Sequence, residues 1–207
     1  DYSSDNTIDI AEKYGLKHIH KHTSNLGYGA NQKTCYEKAL ELNADIIIML
    51  HPDYQYTPKL IHSISYIIAN EVYPVVLGSR ILGKGALKGG MPHYKYFFNR
   101  LLTLFQNIII NEKLSEYHSG YRGFSAEVLK KINFKNNSND FVFDNQLLTQ
   151  IFMKNFEIGE ITCPTKYFKE ASSINFKRSV KYGLGCIKAS LVYRFHKWKL
   201  IKSNRFI

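Results

Sequence analysis

The chain of 207 residues carries 28 lysines and arginines against 17 acids, a net charge of +11. Its hydrophobic share of 44% and charged share of 22% are those of one globular domain with a sizeable core, and exclude a disordered or collagen-like chain. Three widely spaced cysteines, Cys35, Cys163 and Cys186, exclude a disulfide or zinc framework and fit a reducing cytosol, and no apolar run reaches the ~18 residues of a membrane span.

Residues 7–14 read as a helix stopped by Gly15, and 17–20 as a short alternating strand. Residues 31–42 are helical. The run of Ile46, Ile47, Ile48, Met49 and Leu50 within 45–50 predicts a strand buried on both faces, as in a parallel sheet. A helix over 58–70 follows with Pro58 in its first turn, then a second buried strand over 75–78. The glycine-rich stretch 83–92, with Lys84 and Lys88, predicts a mobile basic loop. An amphipathic helix over 94–110, a short helix over 125–131, a turn at 136–140, a helix over 143–155, a strand over 157–163 and a final basic, aromatic helix over 180–198 complete the order. Strands alternating with helices predict an α/β fold with a mostly parallel sheet flanked by helices.

Three loops hold candidate ligand-binding residues. Asp1-Tyr2-Ser3-Ser4-Asp5-Asn6-Thr7 crowds acids and hydroxyls before a helix, where Ser4 or Asp5 suits an N-cap. Asn25-Leu26-Gly27-Tyr28-Gly29-Ala30-Asn31 has glycines that permit a tight turn and close backbone approach to a ligand, and its place before a helix suits phosphate. His51-Pro52-Asp53-Tyr54-Gln55 follows the first buried strand. Open α/β sheets bind ligands beyond the carboxyl ends of their strands. A carboxylate there can hold Mg²⁺ or Mn²⁺ bridging substrate phosphates; Asp53 is placed for this, with His51 as a second ligand that favours Mn²⁺. A plain polar turn is the competing reading.

In this order the three segments resemble the DDGSTDxT, NxGxGxA and DxD-G-Q elements of family 2 glycosyltransferases. Gly78-Ser79-Arg80, then Ser119-Gly120-Tyr121-Arg122-Gly123-Phe124-Ser125, similar to SGFRxFS, and the E-x-P-like segment from Glu160 to Pro164 continue the match over essentially the whole chain. Among family members it is most similar to the polyprenyl-phosphate (dolichyl-phosphate mannosyltransferase-like) sugar transferases. The resemblance implies a GT-A fold, a UDP- or GDP-sugar donor, Mn²⁺ or Mg²⁺, a lipid-phosphate or sugar acceptor, and inversion at the sugar carbon. It implies that Asp1 and Asp5 lie near the base and ribose, that Asn25 and Gly27 belong to the donor site, and that Asp53 takes the metal and diphosphate with Gln55 nearby. Arg122, Arg80 and Arg178 are implied near phosphates, where a planar guanidinium pairs well with oxygens. Residues 1–178 are expected to form the catalytic domain and 179–207 a basic amphipathic helix.

His51 stands where the family has the first acid of DxD, which implies weaker, Mn²⁺-shifted or dispensable metal binding. Glu116 stands four residues before Gly120, where the family usually has Asp. Because Asp1 falls inside the first motif, the family's first N-terminal strand is expected to be lacking. A catalytically impaired nucleotide-sugar binder is the first alternative to an active enzyme, and a basic nucleic-acid-binding module the more remote one. A hydroxyl acceptor needs a general base. Asp144, in Phe141-Val142-Phe143-Asp144-Asn145-Gln146, is the first candidate and Glu116 the second, although a first-turn acid also simply suits the helix dipole. A lipid phosphate, already anionic, needs little help from a base.

The basic excess serves either solubility or a polyanionic partner. The apolar residues of 94–110, among them Phe97, Phe98, Leu101, Leu104 and Ile108, fit either a core-packed or an interfacial helix. The final helix combines Lys188, Arg194, Lys197 and Lys199 with Leu184, Phe195 and Trp198. It suits peripheral attachment to an anionic membrane on its cytoplasmic face, each basic residue contributing about 1 kcal/mol near the surface. Nucleic acid is not an expected partner, since no recognition fold appears and the aromatics fall on presumed core elements.

Overall fold

The two apolar runs become β1 (Ile46–Met49) and β2 (Val75–Ser79), and the third expected strand becomes β4 (Ile158–Thr162). A further strand, β3 (Arg122–Ser125), lies where the sequence predicts none. The structure, a computed structural model, describes residues 2–167 and 176–207. Its four strands form one sheet in the order β1-β3-β2-β4.

The expectation of a mostly parallel sheet is corrected. β3 pairs antiparallel with both β1 and β2, and only β2 with β4 is parallel. Arg122 at the start of β3 pairs with Met49, the last residue of β1, and with Leu77 in the middle of β2, whereas Phe124, further along β3, pairs with Ile47 and Val75 nearer their starts. The chain therefore arrives at the carboxyl ends of β1 and β2 and runs back between them, instead of crossing over to their amino ends. Residues 17–20 form no strand: alternation alone makes none without a ladder partner, and none lies beside them among the described residues.

Helices α1 (Thr7–Lys13), α2 (Tyr28–Glu41), α3 (Ile61–Ala69), α4 (Gly85–Lys88), α5 (His93–Ile110), α6 (Ala126–Lys131), α7 (Phe143–Met153) and α8 (Phe176–Lys197) surround the sheet. α4 is a helical turn inside the expected basic loop. The larger core joins Ile47, Val75, Leu77 and Phe124 of one sheet face to Tyr36 of α2 and to Phe143, Leu147 and Ile151 of α7. A smaller core sets Val76 against Ile64 and Ile68 of α3. β1 alternates, with Ile47 and Met49 buried and Ile46 and Ile48 only partly so, where full burial on both faces is expected.

α5 is turned against its own amphipathicity. Asn99, Thr103 and Gln106 are buried with Ile110, while Phe97, Phe98, Leu101, Leu104 and Ile108 are each more than half exposed. The inward polar row finds side-chain partners, Asn99 Nδ2 donating to Glu116 Oε1 at 2.7 Å and Gln106 Nε2 to Asn145 Oδ1 at 2.7 Å, while Gln106 Oε1 is buried without a partner among the described residues. Most buried polar groups have such partners.

Candidate active site

Three segments distant in sequence converge on one phenol. Tyr28 opens α2, His51 follows β1, and Asp144 lies in the first turn of α7. The Tyr28 hydroxyl donates to Asp144 Oδ2 at 2.8 Å and stands 3.4 Å from His51 Nε2. Burial first, then the charge of Asp144, pushes the Tyr28 hydroxyl well above its ordinary pKa, so it stays a protonated donor. The His51 ring also lies against Gly120, where a β-carbon would come within 2.8 Å of its Cε1.

Asp144 is 7% exposed, and its Oδ1 is buried with no hydrogen-bond partner among the described residues. A buried polar atom left unmatched costs about 1–3 kcal/mol, more when charged. That oxygen keeps unused hydrogen-bonding capacity but has no exposed surface in this arrangement. Arg122 beneath it is 1% exposed. Its Nη1 donates to the Asp144 carbonyl at 2.9 Å, its Nε to the Ser119 carbonyl at 2.8 Å and its Nη2 to the Tyr117 carbonyl at 3.0 Å. Nη2 also lies 3.9 Å from Asp144 Oδ2. Arg122, expected near phosphate, is instead an internal brace that fixes the Asp144 backbone.

Arg80 and Glu116 form a second buried pair. Arg80 donates to Glu116 Oε1 from Nε at 2.8 Å and from Nη2, and to Oε2 from its backbone amide at 2.9 Å. Nη1 and Nη2 reach the Tyr167 hydroxyl and the His118 carbonyl. Burial alone would raise the Glu116 carboxyl, but the charge and hydrogen bonds of Arg80 outweigh it and hold it below the ordinary carboxylate range. A fully buried, fully engaged carboxylate cannot reach an acceptor, so the geometry makes Glu116 a counter-ion and not a base. Arg80 is correspondingly committed to it.

Asp53 is partly exposed, and its Oδ1 accepts from the Gln55 amide at 3.1 Å. Gln55 is buried and its carbonyl accepts from the Lys166 amide. Asn25 Oδ1 accepts from the Gly27 amide at 3.0 Å, and Gly27 has φ of +96° at the start of α2. The Gly29 amide donates to the Asn139 carbonyl at 2.8 Å. A β-carbon on Gly29 would sit 2.3 Å from the Ser138 carbonyl oxygen and 2.8 Å from Phe143 Cβ. This turn therefore makes room for the chain's own 138–143 segment, and that approach is what lays Tyr28 on Asp144. Gly29→Ala is expected to destabilise by about 1–3 kcal/mol through overpacking, read in a thermal melt at roughly 2–4 °C per kcal/mol.

Arg178 is exposed at the rim, 3.9 Å from Asp140 and over the Phe141 ring at 5.1 Å, and Phe141 stacks on Tyr28. Asp5 is exposed and accepts from the Thr7 amide at 3.1 Å, a local bond at the start of α1. Asp1 lies outside the described residues. Tyr28 is the residue that motif reading misses; its one signal is an aromatic side chain between two glycines.

Among the described residues no group of three His, Cys, Asp or Glu could hold a metal. Asp53 and His51 offer two donors in the turn after β1, and the Tyr28 hydroxyl links His51 to Asp144. That set fits an ion that completes its shell with water and substrate phosphates, the habit of Mg²⁺ and Mn²⁺, and does not fit a closed protein cage.

Comparison with known proteins gives the family and the fold. The family model described as Glycosyl transferase family 2 matches residues 1–133. An uncharacterized protein of Methanocaldococcus jannaschii is 28% identical over 84% of this chain and 70% of its own length. The UDP-N-acetylglucosamine–dolichyl-phosphate N-acetylglucosaminyltransferase of Methanococcus voltae is 29% identical over 71% of this chain, which spans 58% of that protein. A low-salt glycan biosynthesis hexosyltransferase of Haloferax volcanii is 27% identical over 77% of this chain and 37% of its own length. Glucosyl-3-phosphoglycerate synthase from Mycobacterium tuberculosis, solved with phosphoglyceric acid, superposes with a TM-score of 0.63 at 13% identity, covering 98% of this chain and 68% of that one. The same enzyme was also solved with Mn²⁺ and UDP. The match over more than half of the chain places it in glycosyl transferase family 2: it is a glycosyltransferase by family, with the α/β architecture of the GT-A fold.

Proposed function

We propose that this family 2 chain transfers a sugar from a nucleoside-diphosphate sugar to an acceptor oxygen with inversion, and that the acceptor is a lipid phosphate or a sugar presented at a membrane. The observation that carries the reading is the buried Asp144 carboxylate, held by Tyr28 and Arg122 beside the turn after β1, with one oxygen unmatched. The UDP-sugar and dolichyl phosphate named for the Methanococcus voltae relative support the donor and acceptor classes.

In this reading the acceptor oxygen attacks the anomeric carbon on the face opposite the diphosphate. The new C–O bond forms as the bond to the diphosphate oxygen breaks, and the diphosphate leaves with the electron pair. A divalent ion held by Asp53, with His51 beside it, would supply charge neutralisation to that leaving group. Asp144 takes the proton of a hydroxyl acceptor on Oδ1, while Tyr28 keeps Oδ2 occupied and oriented. Arg178 at the rim is the arginine best exposed for donor phosphates; the roles of Asp1, Asp5, Asn25, Gly27 and Gln55 around the nucleotide are proposed from the motif order alone.

A thermal-shift screen of UDP- and GDP-sugars with Mn²⁺ tests this. One donor is expected to raise the melting temperature, the stabilisation reaching about 2.7 kcal/mol at a hundredfold excess over Kd, and Asp53→Ala is expected to abolish the shift. A shift that survives Asp53→Ala, or none with any donor, contradicts the assignment.

A further inference from the structure

Among the described residues, no element covers the outward face of α5. Five large apolar side chains, Phe97, Phe98, Leu101, Leu104 and Ile108, lie more than half exposed along a helix about 27 Å long. The helix keeps its polar row inside, so this exposure is built into the fold and is no accident of a loose surface. Contiguous apolar surface of this kind marks an interaction site.

α8 runs beside α5 in the same direction. A β-carbon on Gly183 would lie 3.5 Å from Leu102, Gln106 Nε2 donates to Ser190 Oγ at 3.3 Å, and Arg194 Nε donates to the Ile109 carbonyl. α8 and the segment after it add exposed Leu184, Trp198 and Leu200. Charge identifies the occupant. The two helices carry eight lysines and arginines and no aspartate or glutamate, and residues 198–207 contain no acid either. A second copy of this chain would set basic side chains against basic side chains. Among the described residues no helix is long and apolar enough to cross a membrane, so a bilayer would be met side-on.

We infer that α5 lies in the interface of an anionic bilayer, its Phe97–Leu101–Leu104–Ile108 row among the acyl chains, with the basic residues of α5 and α8 at the headgroups. The inference stands apart from the donor chemistry. It also sets the active-site rim near the lipid, because α8 carries Arg178, which covers Phe141 beside Tyr28.

Co-sedimentation of the chain with phosphatidylcholine vesicles, with and without phosphatidylglycerol, tests it. The chain is expected to pellet with the anionic vesicles, and added salt is expected to weaken this. The variant Phe97→Gln/Leu101→Gln/Leu104→Gln/Ile108→Gln is expected to bind about tenfold more weakly or worse, with an unchanged melting temperature because all four side chains are exposed. Tyr66→Gln, on the exposed side of α3, is expected to bind like the wild type. The inference is overturned if the wild type stays in the supernatant with both vesicles or if the fourfold variant still pellets. It is equally overturned if Tyr66→Gln weakens binding as much, or if the row proves to drive a dimer in light scattering with no vesicle binding.

Discussion

Asp144→Asn is expected to lower kcat towards a hydroxyl acceptor by about 10²–10⁴-fold, the usual contribution of a positioned general base. The fold and the donor KM are expected to hold. Arg122 hydrogen-bonds to the Asp144 backbone carbonyl and lies 3.9 Å from its carboxylate; the amide keeps that hydrogen bond and can still accept from Tyr28, so losing the counter-charge of a buried guanidinium is expected to lower Tm without unfolding the protein. With a lipid-phosphate acceptor the same variant is expected to lose little, since the nucleophile is already ionised. Steady-state kinetics with both acceptor types separates the two cases. Equal activity of wild type and variant on a hydroxyl acceptor would remove Asp144 from the chemistry.

Glu116→Ala is expected to destabilise the protein by about 3–5 kcal/mol, because it strands a buried guanidinium without its counter-ion. For a chain of this size that is a fall in Tm of roughly 6–20 °C. Its pH dependence has a definite sign. The folded-state pKa of Glu116 is depressed by Arg80, so the unfolded state binds the proton more readily. The stabilisation is fully present above the unfolded pKa and is lost as pH falls through the folded one. The melting curves of wild type and Glu116→Ala are therefore expected to converge in acid and to diverge towards neutrality. A variant that melts like the wild type at pH 7 yet has lost activity would restore Glu116 as a base.

The contrast between these two acids shows what the sequence carries. Apolar runs make β1, β2 and β4 legible, because burial between helices leaves a continuous hydrophobic signature. β3 is not legible: its four residues hold one large apolar side chain, and pairing on both edges makes the strand. The places of His51 and Asp53 after a strand and of Asp144 at a helix start are legible. Tyr28 is not, because its partner is 116 positions away and only the close approach of the glycine turn to residues 138–143 brings them together. Arg80, Arg122 and Glu116 show the converse. Their chemistry is plain in the sequence, but whether a guanidinium meets phosphate or an internal carboxylate depends on burial, which tertiary packing decides. The same holds for α5, whose amphipathic pattern is visible while its orientation, polar side inward, is not.

A crystal structure with UDP and Mn²⁺, collected at the manganese absorption edge, places the site most directly. The anomalous peak is expected on the Asp53 carboxylate in the turn after β1, bridged to the diphosphate, with Asp144 facing the space where the sugar would sit. A peak and nucleotide bound elsewhere, for instance in the cleft between Lys130 and Arg205 at the carboxyl end of α7, would contradict the assignment.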